Sequence, residues 1–132
     1  MGFRFKTFPV YQDAKRYSQF CRKLVRNCIV DRGLADQITR ALNSIVLNIA
    51  EGSADNSDVE FARFLGISIR STYETVAGFD LALTYKMIDE ILNKEVEDQA
   101  ENLVKQLSGF RALLLKGNQK GRGKESSLDV IG

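Results

Sequence analysis

Lys15, Gln19, Arg22 and Arg26 form an outer stripe along about three turns of a predicted helix, flanked by Arg16 and Lys23, with Asp13 the only acid nearby. Cations at that density neutralise phosphates, and the binding they give is electrostatic and largely indifferent to base sequence. Tyr11, Tyr17 and Phe20 are interleaved with them. An exposed ring in such a stripe stacks on an unpaired base. Tyr17 falls on the apolar side of the helix and is expected inside, which leaves Phe20 as the better stacking candidate. The same cations also describe an ordinary solvated face, so both readings stand.

Other reactive types are sparse. Glu51 and Glu74 are carboxylates that a catalytic pair would need, but the chain has no histidine, and no nucleophile or glycine-rich phosphate loop lies near them in sequence. Carboxylate pairs also need surroundings that drive their pKa values apart. Cys21 and Cys28 lie two helical turns, about 10 Å, apart, too far for a disulfide between them. With no histidine and no third cysteine they read as small core residues, not a zinc site. No catalytic residue, metal site or cofactor is therefore expected.

A second polar set interrupts the most regular apolar stretch, Gln37 to Glu74. Arg40, Asn48, Ser71 and Glu74 fall near a helix-packing seam, where a polar group needs a partner. They are expected to join in a network between the second and third helices that fixes register or assembly. Glu51 and Gly52 either belong to a functional surface with Asn48 or simply end a helix, glycine suiting the left-handed turn that follows one.

The elements that hold these residues follow from periodicity. Pro9 opens a first helix, and Ala14, Tyr17, Ser18, Cys21, Leu24, Val25 and Cys28 form its expected buried stripe up to a stop at Asp31-Arg32-Gly33. A second helix is predicted over about residues 34–51, with Ile38, Ala41, Leu42, Ile45 and Ile49 inward. Ser57, with Glu60 three residues on, fits a capping box for a third helix running to about Met87. A fourth starts near Asn93 or Lys94, carries Val96, Ala100, Leu103, Leu107, Phe110 and Leu114 at heptad spacing, and ends near Lys116. The 132 residues thus divide into an N-terminal extension (1–8), an all-α antiparallel up-down-up-down four-helix bundle (9–116) and a flexible glycine-basic tail (117–132). Phe3, Phe5 and Phe8 in the extension are expected to cover an apolar groove on this subunit or on a neighbour, the subunit interface being slightly preferred. No apolar run reaches the roughly 20 residues a membrane span needs, and the N-terminus lacks a signal-peptide core, so a cytoplasmic protein is expected.

The run Ser44-Ile45 to Asn48-Ile49-Ala50-Glu51-Gly52, preceded by Ile38 and Arg40-Ala41 and followed by Glu60-Phe61, Phe64-Leu65, Ile67, Ser71 and Glu74, resembles a known family. It is similar to the four-helix bundle proteins encoded in intervening sequences of bacterial 23S ribosomal RNA genes. The likeness extends from about Tyr11 to Leu115. It departs at Val46, where the family usually has proline, and at Asp55 and Asn56, where a basic residue is frequent. The resemblance implies a homopentamer and a ribosomal-RNA context, and more distantly a likeness to basic accessory proteins of diversity-generating reverse transcriptases.

Charge is segregated beneath a formal net of +2: residues 1–33 hold eight basic and two acidic residues, and 34–115 hold seven basic and thirteen acidic. Such asymmetry concerns partners and not fold. The expected protein is a non-enzymatic oligomer whose first helix binds structured RNA or another nucleic acid. The alternative is a scaffold whose basic face docks an acidic protein partner.

Overall fold

The computed structural model describes residues 2–54 and 57–121, the last four as backbone, and places four helices in an antiparallel up-down-up-down bundle. They are α1 (Pro9–Cys28), α2 (Arg32–Gly52), α3 (Asp58–Thr84) and α4 (Glu90–Gly121), preceded by a 3-10 turn at Arg4–Thr7. The heptad stripe of α4 is buried from Val96 to Leu114, and it meets the inward stripes of α1, α2 and α3 in one core. Among the described residues no helix is long and apolar enough to cross a membrane.

The helix ends show how the local sequence acts. Pro9 occupies the first turn of α1, where its missing N–H costs nothing. Asp31 is not a stop for α1 alone: its carboxylate accepts the Leu34 N–H at 2.8 Å and caps α2, which therefore starts at Arg32. Ser57 accepts the Glu60 N–H at 3.1 Å, but the Glu60 carboxylate pairs with Arg63 instead of closing the capping box. Asp89 caps α4 by accepting the Leu92 N–H at 2.8 Å, so α4 begins at Glu90, ahead of the expected Asn93 or Lys94.

Two other boundaries differ from expectation. α3 ends at Thr84 and not Met87, because Lys86 adopts a left-handed conformation (φ 63°). The Lys86 N–H then reaches the Leu83 carbonyl and the Met87 N–H the Ala82 carbonyl, the paired bonds of a Schellman turn. α4 runs on through Gly117 to Gly121, past the expected end at Lys116, since an isolated glycine costs a helix only about 1 kcal/mol. The tail expected to be flexible lies, from residue 122, outside the described residues.

The N-terminal extension is part of the bundle. Phe8 is buried and packs its ring against Phe61 and Phe110, at 6.3 and 5.6 Å between centroids. Phe5 packs edge-on to Tyr11, and of the three phenylalanines Phe3 alone is exposed. The expected interface role thus fails for Phe8, which covers its own core. Arg4 donates to the Ser53 carbonyl at 2.9 Å, at the C-terminal end of α2. Burying a phenylalanine contributes about 2–3 kcal/mol and such a hydrogen bond about 1 kcal/mol, so Phe8 anchors the extension and Arg4 orients it.

Candidate functional site

The five cations of α1 are all exposed, but they do not share one face. Lys15, Arg22 and Arg26 line a shallow groove between α1 and α2, with Ser18 and Gln19 beside them. Asn43, Val46 and Leu47 of α2 form its other wall, and among the described residues no carboxylate lines it. Arg16 is turned toward α4, where it pairs with Asp13, which also accepts from Gln106 of α4 at 2.8 Å. Lys23 stands two turns beyond Arg16 on the same side of the helix. The rings interleaved with these cations are engaged already. Lys15 sits 5.1 Å from the centroid of the Tyr11 ring, Tyr17 is buried, and Phe20 is half-buried against the core. Phe20 is therefore not the exposed stacking ring expected of it. The groove's exposed apolar side chain is Leu47, 58% exposed. Its sequence position carried a signal, since Leu47 is out of phase with the Ile38–Ile49 stripe.

The second polar set is brought together in part. Ser44 is its centre: Asn48 Nδ2 donates to the Ser44 carbonyl and hydroxyl at 2.8 and 3.0 Å, and Ser71 Oγ donates to Ser44 Oγ at 2.8 Å. One turn away, Ser68 donates to the Ile45 carbonyl at 2.8 Å, a second bond from α3 to α2. Glu74 is exposed and accepts from Gln37 of α2 at 3.4 Å, and Arg40 is exposed outside this network. Ser44 escaped sequence reading because a serine within an apolar run looks like any helix position until its neighbour across the seam is known.

Gly52 is the last residue of α2 and its φ is not positive, so it does not serve as a left-handed terminator. It is small because α3 is close: a Cβ there would lie 2.7 Å from Phe61 Cδ1 and 2.8 Å from Phe64 Cβ. Gly78 does the same at the other end of the seam, where a Cβ would lie 2.6 Å from Ile38 Cγ1. The Glu51 side chain points to solvent. With Glu51 and Glu74 both exposed, neither has the enclosed surroundings that a catalytic carboxylate pair requires.

A buried polar chain ties α1 to α3. Tyr17 Oη and Thr75 Oγ1 are 2.7 Å apart, and Thr75 in turn donates to the Thr72 carbonyl at 2.7 Å. Burial raises the Tyr17 phenol well above the ordinary range, with neighbouring Cys21 adding to the rise. Burial likewise pushes the Cys21 thiol up to about 12. A thiol held protonated is a poor nucleophile. Cys21 and Cys28 are both free, Cys21 buried and Cys28 half-buried.

Capped antiparallel helices, a seam of small residues between α2 and α3, and a cationic groove beside α1 define a small all-α bundle protein with a polar, cationic candidate surface. The chain belongs to the 23S rRNA-intervening sequence protein family, whose model matches residues 6–109. Its fold is similar to the crystal structure of a protein of unknown function from the S23 ribosomal protein family of Bacteroides thetaiotaomicron. That likeness has a TM-score of 0.70 at 20% identity and covers 77% of this chain and 97% of the other. No functionally curated protein matches the chain.

Proposed function

We propose that this protein is a non-enzymatic, self-associating cytoplasmic bundle that binds structured RNA through the cations of α1. The observation that carries this reading is the groove in which Lys15, Arg22 and Arg26 converge without a carboxylate. Three cations freed from acidic partners favour a polyanion, and the exposed cations beyond the groove extend the field along α1. Membership of a family named for an intervening sequence in 23S ribosomal RNA supports RNA as that polyanion. Exposed cations in a shallow groove suit phosphates and not base edges, which makes recognition one of backbone and shape.

The test is fluorescence anisotropy of a labelled structured RNA, titrated with protein at several salt concentrations. Neutralising three phosphates predicts an affinity loss of about 20- to 40-fold between 50 and 200 mM salt. The Lys15→Glu, Arg22→Glu, Arg26→Glu variant should lose binding altogether. Absence of binding by the wild type at ~50 mM salt would overturn the reading. Displacement of RNA by an acidic protein, at concentrations where RNA cannot displace that protein, would favour the scaffold alternative.

A further inference from the structure

Two shallow grooves lie on opposite faces of the bundle and carry opposite charge. The first is the α1–α2 groove, with Lys15, Arg22 and Arg26 beside exposed Leu47. The second lies between α3 and α4, where Tyr73, Val76 and Val104 form an apolar strip edged by Glu97 and Glu101. Tyr73 is 65% exposed, a large ring left in water in the middle of a helix. The Glu97 carboxylate has a long 3.5 Å contact from Asn93, and Glu101 is in no ion pair among the described residues. Each groove thus lacks what the other displays: one has cations outside the ion pairs of the described residues beside an apolar wall, the other carboxylates outside those ion pairs beside a projecting ring.

We infer that the two faces bind each other between copies of this chain. Tyr73 of one copy lies against Val46 and Leu47 of the next, with Glu97 and Glu101 opposite Lys15, Arg22 and Arg26. Complementary charge selects this pairing over either face meeting itself, where like charges would be buried together. The contact joins unlike patches, so each copy keeps one face of each kind, and association gives a ring where the rotation between copies closes and an open filament where it does not. Self-association belongs to the reading above, and the choice of faces goes beyond it. It also has a consequence for RNA. The groove cations cannot serve phosphates and a neighbour's carboxylates at once, so RNA and the next copy compete there, while Arg16 and Lys23 stay outside the contact.

The test uses light scattering on the full chain without RNA. Arg22→Glu with Arg26→Glu is made in one variant, and Glu97→Lys with Glu101→Lys in another, each checked for an unchanged helical circular dichroism spectrum. Each variant alone should be monomeric at a concentration where the wild type is assembled. Mixing the two should restore assembly, as should all four substitutions in one chain, because both arrangements rebuild an acidic face opposite a basic one. Tyr73→Ala, which alters no charge, should weaken assembly by about tenfold or more. A monomeric wild type, assembly unaffected by either pair, or a charge swap that restores nothing would each overturn the pairing. The Glu97→Lys, Glu101→Lys variant keeps every α1 cation and should bind RNA at least as tightly as wild type. Failure of that variant to bind RNA, with the scattering results as expected, would sink the RNA reading and leave the pairing of faces intact.

Discussion

α1 is docked by large side chains, whereas α2 and α3 meet through the lack of them. On α1 the contact is made by Phe8 at its cap, Tyr17 and Leu24, with ring-on-ring packing to Phe61 and Phe110. Along the α2–α3 seam, Gly52 and Gly78 let backbone approach side chain, and Ser44, Ser68 and Ser71 exchange short hydrogen bonds. The two contacts therefore break in opposite ways, the first when volume is removed and the second when it is added. Neither involves the exposed cations, so stability and the proposed binding can be varied separately.

The largest effect is expected from Phe8→Ala. It leaves a cavity beside Phe61 and Phe110 and should cost about 3–5 kcal/mol, read as a lower urea midpoint. A cost below about 1 kcal/mol would mean that the extension is an ornament and the bundle starts at Pro9. Gly78→Val tests the other contact. Its new atoms meet Ile38 where even a Cβ is too close, and a loss of about 2–3 kcal/mol is expected. Gly109→Ala supplies the contrast: nothing lies within 4 Å of its Cβ position, so it should stabilise α4 by about 0.5–1 kcal/mol. If both glycines respond alike, helix propensity governs them and the close seam does not.

These contrasts mark what the sequence made legible. The heptad of α4 and the stripe of α2 predicted which residues are buried, because a packed face repeats in register with the helix. The α2–α3 seam was visible only as polar interruptions. Asn48 and Ser71 were found, but the atom joining them belongs to Ser44, and Arg40 and Glu74 do not enter that network. Gly52 shows the same limit. Its type suited a left-handed turn, yet its role depends on Phe61 and Phe64, which only the tertiary approach brings near. The stripe Lys15, Arg22 and Arg26 and its flank Arg16 and Lys23 are legible from helical spacing, and the structure adds that the stripe faces α2 and the flank α4. Phe8 was placed outside the bundle because a proline-led helix hides the residue before it, even when that residue plugs the core.

A smaller effect should appear at high pH, at the link between the large-residue contact and α3. Cys21 rises in the folded protein to about 12, and Tyr17 is raised above its ordinary range as well. Above about pH 9 the unfolded chain releases these protons while the folded chain keeps them. The unfolded state then binds fewer protons, so stability is full below that pH and falls as pH rises through the folded values. Urea midpoints measured from pH 7 to 11 should decline on the alkaline side. Tyr17→Phe should flatten the decline above pH 10, at a fixed cost of about 1 kcal/mol for the lost bond to Thr75. An alkaline limb identical in Tyr17→Phe and wild type would show that the phenol is not held neutral by burial.

The smallest stability effects should come from the residues on which the proposed function depends. Arg22 is exposed, mid-helix and without a carboxylate partner among the described residues, so in protein dilute enough to be monomeric its reversal should change stability by less than about 0.5 kcal/mol. Reversing Lys15 also removes its contact with the Tyr11 ring and should cost about 0.5–1 kcal/mol. Arg26 differs because it lies in the last turn of α1, where a cation meets the negative end of the helix dipole. Arg26→Glu should therefore cost about 0.3–1 kcal/mol, screened by salt. Of the three, Arg26 at the helix end and Lys15 over the Tyr11 ring carry structural reasons to be basic. Arg22 carries none, and a cation the fold does not need is what a binding surface requires. Urea titrations of the three single variants, run beside RNA titrations of the same samples, measure both quantities at once. Losses of RNA affinity that track the small losses of stability would make the α1 cations part of the fold. Affinity falling for Arg22→Glu at constant stability would assign that cation to the partner.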